Sequence, residues 1–132
     1  MAEISKSGTP SLATTTTQVS SAAGLLAGEA ISAGDACYIK AADGKVWKAT
    51  GAAANAAAKV RGYAALDASV GEAVTLVWNV RMRYGTGLTP GANVYLSGTV
   101  PGGLADAAST GGTAPIGFVY DTTRIHLNQS AY

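Results

Sequence analysis

Nine residues, Ile31 to Ile39, recur in altered form as Leu88 to Leu96, and this echo constrains the fold more than any other stretch of the chain. Ile-Ser-Ala-Gly-Asp-Ala-Cys-Tyr-Ile lies against Leu-Thr-Pro-Gly-Ala-Asn-Val-Tyr-Leu, matching Gly34 with Gly91 and Tyr38 with Tyr95. Further on, Arg61-Gly62-Tyr63-Ala64-Ala65-Leu66-Asp67 echoes Ile116-Gly117-Phe118-Val119-Tyr120-Asp121. A strand-like segment follows each, Glu72 to Val77 and Arg124 to Leu127. Two similar halves are expected, over residues 29–77 and 86–128, each a hairpin followed by two strands. Together they give about eight strands, enough for an all-β fold that closes as a small antiparallel β-barrel or a two-sheet sandwich. Closure also removes the exposed edges that short strands leave.

The longest alternating segment is Val74 to Tyr84. Val74, Leu76, Trp78, Val80, Met82 and Tyr84 form one row, and Thr75, Val77, Asn79, Arg81 and Arg83 the other. The pattern predicts one long strand with a buried face and a wet face, the arginines on the wet one. Asp43-Gly44 between two short strands predicts a hairpin, because glycine tolerates positive φ. Pro90-Gly91 and Val100-Pro101-Gly102-Gly103 mark further turns. Gly51 to Lys59, nearly all alanine, reads as a marginal helix capped by Thr50 or as a loose connection.

Burial is harder to find than the apolar fraction of 48% suggests, because alanine supplies 27 of those residues and Ile, Leu, Val and Phe only 25. A lean core in a single domain of 132 residues predicts that neighbouring surfaces complete the burial. Residues 1–23 hold few sizeable apolar groups and a threonine run, Thr14, Thr15, Thr16 and Thr17. They read as an extended N-terminal arm, disordered alone and able to lie along a partner's edge, ahead of a β domain over 24–132. Deleting residues 1–22 is expected to leave the fold intact.

Chemistry finds little purchase. His126 and Cys37 are single copies, no metal-ligand spacing occurs, and Cys37 sits in an apolar alternation that fits a small buried group. The aspartates fall mostly at turns, and the glycine-rich segments lack a P-loop lysine. No catalytic, cofactor or metal site is expected, and the chain does not read as an enzyme. Nine basic residues against eight acidic ones lack the positive footprint of a nucleic-acid domain. The strand's aromatics also stand in the row opposite Arg81 and Arg83. No apolar run has the length of a membrane span, and Met1 to Lys6 do not begin a secretory signal. With one cysteine, synthesis in the cytoplasm is expected.

The stretches Leu26 to Ile39, Asp43 to Ala49, Gly62 to Ala64, Gly71 to Val74 and Gly87 to Leu96 resemble a family of small tailed-bacteriophage head decoration, or cement, proteins. The resemblance runs from Leu26 to Leu127; the N-terminal arm has no match in it. It implies an all-β protein on the outer surface of an expanded capsid, bridging major capsid protein subunits and neighbouring copies of itself, often as a homotrimer. On that footing Trp47, Tyr63, Tyr84 and Tyr95 are the expected contact anchors, and Arg81, Arg83 and Arg124 the partners of capsid carboxylates. The threonine run would add as a strand to an adjacent subunit. A β domain of a phage tail fibre or baseplate is the alternative, and an enzyme or sugar-binding module would need a concave site.

Overall fold

The computed structural model describes residues 3–12 and 20–130. The fold is all-β, with two antiparallel sheets. Two short strands come first, β1 (Glu3–Ile4) and β2 (Ser11–Leu12). Then follow β3 (Ser20–Leu26), β4 (Ala36–Ile39), β5 (Val46–Lys48), β6 (Gly62–Ala64) and β7 (Ala73–Trp78). The second run is β8 (Val80–Arg83), β9 (Asn93–Leu96), β10 (Leu104–Ala105), β11 (Gly117–Val119) and β12 (Arg124–Leu127). The first sheet has the order β3-β7-β6-β4-β5 and the second β1-β10-β9-β11-β12-β8-β2.

The described strands therefore number twelve, against about eight expected. The additions include β1 and β2, which lie in the stretch read as a free arm and pair with this chain's own β10 and β8. Glu3 accepts from the Ser97 and Thr99 hydroxyls, and Lys6 Nζ meets Asp35 Oδ1 at 2.6 Å. Ser20–Ala22 already belong to β3, so deletion of residues 1–22 removes parts of both sheets rather than a tail. Ile4 and Ser11 sit on opposite edges of a seven-stranded sheet, a span of about 29 Å if flat, yet seven residue steps reach at most about 25 Å. The sheet therefore curls into a half-barrel, with the arm as its strap.

The long strand expected over 74–84 breaks at Asn79, a non-glycine residue at φ 56°. Asparagine accepts this left-handed turn more readily than most side chains. One residue thus passes the chain from β7 in the first sheet to β8 in the second. Leu76, Val80, Met82 and Tyr84 are all buried, so alternation continues across the break and conceals it. Gly51 to Lys59 forms only a single 3₁₀ turn at Ala56–Ala58, with the Asn55 side chain accepting from Ala57 N–H at 3.0 Å.

Burial divides into two layers. Between the sheets, Tyr63, Val77 and Ala36 meet Met82, Val94, Leu96, Ile125 and Leu127. On the far side of the first sheet, Cys37, Val46, Val74 and Leu76 pack under Ala27, Ile31 and Ala68. Each run of five strands follows the same path, with matching registers. Ala36 pairs with Tyr63 and Cys37 with Gly62, as Asn93 pairs with Phe118 and Val94 with Gly117. Gly34 and Gly91 both have φ 83°, and their N–H groups donate to Ala64 O and Val119 O, each at 2.8 Å.

Candidate binding surface

Side chains of β8, β12 and β11 alternate between the inter-sheet core and the outside. Val80, Met82, Ile125, Leu127 and Val119 point inward, which turns Arg81, Arg83, Arg124, His126 and Phe118 outward. Register makes them neighbours: Arg124 opposes Arg83, His126 opposes Arg81, and Phe118 opposes His126. Tyr120 follows β11 on the same side, with the Arg81 guanidinium 4.2 Å from its ring centre and that of Arg124 at 4.8 Å. Phe118 and His126 stack with ring centres 5.2 Å apart. Phe118 is 42% exposed and Tyr120 44%.

Charge on this face is held in place. Arg124 Nε donates to Asp121 Oδ2 at 2.6 Å, and Asp121 Oδ1 accepts from the Thr123 and Arg124 N–H groups. The Arg124 side-chain hydrogen bond and these backbone donors bring the Asp121 carboxyl down to about 2. Partial burial, followed by the charge of Arg81, lowers the His126 pKa, which favours the neutral imidazole. What results is a sheet face on which Arg81 and Arg124 are held against Tyr120 and Asp121 while Arg83 stands exposed, an arrangement suited to carboxylate-bearing partners.

The structure brings four of the sequence-predicted residues onto this face: Arg81, Arg83, Arg124 and, on β9, the half-buried Tyr95. Trp47 lies on the first sheet, its indole against Gly28, Lys40 Nζ 4.2 Å from its ring centre and Asp43 accepting from Nε1. Tyr63 and Tyr84, expected as contact anchors, are buried in the core instead. Tyr63 OH donates to Asn128 O at 2.8 Å, and burial raises both phenols above their ordinary range. Thr14 to Thr17 lie outside the described residues.

Phe118 and Tyr120 join the surface without having been expected there, beside His126, whose neighbours Ile125 and Leu127 face the core. In sequence, Ile116, Phe118 and Tyr120 form the larger apolar row, yet Gly117 and Val119 face the core. The expected separation of aromatics from arginines holds for Tyr84, buried after β8, but fails across the sheet, where Phe118 on β11 and Tyr120 just after it supply rings. A depression of about 470 Å³ lies elsewhere, between the arm at Glu3–Ser7 and Thr86–Thr89. Among the described residues no three His, Cys, Asp or Glu side chains gather as a metal site. No protein-family model matches this chain, and no curated protein is significantly similar to it.

Proposed function

We propose that this chain is a structural decoration protein that binds the outer surface of an expanded phage head and bridges major capsid protein subunits, with the outward face of β8, β12 and β11 as its contact. The phrases from Leu26 to Leu127 support the class of protein, and the arginine–aromatic face is the observation that carries the choice of surface.

The internal echo strengthens the choice. We read the chain as one five-stranded unit used twice, over residues 20–78 and 80–127, stacked the same way up. In that correspondence Tyr63, Val77 and Ala36 become Phe118, His126 and Asn93. The first set packs against a whole sheet, whereas the second set faces outward. The outward face is thus the counterpart of one that already takes a β layer, with polar and cationic side chains replacing apolar ones. A carboxylate-bearing protein surface matches it, and many copies on one shell sum individually modest contacts.

Co-sedimentation with expanded capsids stripped of accessory proteins tests the reading. Saturable binding at a defined copy number is the expected result, and protein left entirely in the supernatant would sink it. Binding to isolated tails instead would favour the fibre or baseplate reading. Arg81→Glu combined with Arg83→Glu should weaken capsid binding at least tenfold, and rising salt should weaken the parent protein in the same direction.

A further inference from the structure

Each run of five strands has two edge strands, β3 and β5 in the first and β8 and β10 in the second. Three of these four are met by this chain's own backbone, twice by two-residue strands that end the larger sheet. The edge of β10 takes β1, and the edge of β8 takes β2. At β5, Ala27 bridges Val46 in parallel, and the Gly28 N–H donates to Val46 O at 2.9 Å. The fourth edge is β3, which among the described residues pairs with β7 alone. Its outer side offers backbone donors and acceptors along Ser20–Leu26, and Leu26 beside them is 46% exposed. Natural sheets seldom leave such an edge without charge, proline or cover. Neither a charged residue nor a proline occurs in Ser-Ser-Ala-Ala-Gly-Leu-Leu.

Register identifies what belongs there. Ser21 and Ala22 oppose Val77 and Leu76 as Arg81 and Met82 oppose His126 and Ile125, so β3 and β8 hold equivalent places. On β8 that outer side receives an antiparallel extended segment, Ser11–Leu12. We propose that β3 pairs antiparallel with β3 of a second copy of this chain about a two-fold axis, joining two five-stranded sheets into one of ten strands. An antiparallel edge is complementary to itself, and a two-fold axis satisfies both copies at once. The edge is neutral, so it neither repels its copy nor selects a charged partner. Side chains of Ser20 to Gly24 are small enough for two such edges to approach. The inference goes beyond the decoration reading and does not use the arginine face, which lies on the other sheet.

Sedimentation velocity of the full chain, from about 1 to 100 µM, tests it in the absence of any capsid. The expected species has twice the 13.1 kDa chain mass. Ser21→Lys with Ala23→Lys should return it to a monomer with an unchanged circular dichroism spectrum, because both positions are exposed. Ala23→Pro should do the same, since Ala23 sits in a bulge with no register partner on β7. A parent protein that stays monomeric throughout overturns the proposal, as does a dimer or trimer that persists in well-folded variants. Should the variants unfold, hydrogen exchange on the parent decides: slower exchange of Ser20–Ala22 amides with concentration supports pairing, and unchanged exchange overturns it.

Discussion

Gly62 and Gly117 occupy equivalent register positions, and in each case the next strand leaves no room for a methyl group. A Cβ on Gly62 would lie 2.8 Å from Leu76 Cβ, and one on Gly117 would strike the His126 carbonyl oxygen. Because backbone cannot step aside as a side chain can, Gly117→Ala should cost about 3 kcal/mol, measured as a lower midpoint in urea unfolding. Cys37 differs in kind: burial, then the negative charges of Asp35 and Glu29, push its thiol up to about 12. The folded protein at pH 8 should resist a maleimide that labels it fully in denaturant, as a mass shift will report. Two further groups set the acid response. The native His126 pKa lies below the ordinary 6.5, so the unfolded chain binds more protons in that window and stability falls as pH drops below 6.5. Asp121 adds stability present above 3.8 and lost as pH falls toward about 2. His126→Gln should flatten the first part of a denaturation–pH profile and leave the second unchanged.

At the scale of elements, the N-terminal segment is the clearest departure from expectation. Two-residue strands carry no periodicity, so composition alone marked it as a tail; its order comes from the edges of β10 and β8 and from Asp35. Removing residues 1–12 frees both edges, strips the partner of Ser97 and Thr99 and takes away Pro10, which is buried near Gly34. A loss on the order of 3 kcal/mol and a lower melting temperature should follow, read by thermal denaturation of the truncated chain. The hairpin at Asp43-Gly44 was legible because its signal is local; Gly44 has φ 67° and Lys45 N–H donates to Asp43 Oδ1 at 2.9 Å. The row of Arg81 and Arg83 was legible for the same reason. The outward turn of Phe118 was not, because Ile125, Leu127 and Val94 occupy the inter-sheet space and leave only Gly117 and Val119 room to face inward. That decision lies in neighbouring strands, not in β11.

At the scale of the whole molecule, the sheets share one core and neither run of strands owns it. Tyr63 and Val77 from the first face Met82, Val94 and Leu127 from the second. Thermal unfolding should therefore be a single transition whose calorimetric and van't Hoff enthalpies agree. Two separate transitions would show the runs to be independent. Stacking like units the same way up also gives the molecule a direction. Its far side is closed over by Ala27, Ile31 and Ala68, while the opposite side ends in arginines packed on and beside aromatic rings. A particle of this build has one cationic landing side and a back of another chemistry. On the proposed reading, the cationic side meets the capsid and the side closed by Ala27, Ile31 and Ala68 is left outermost.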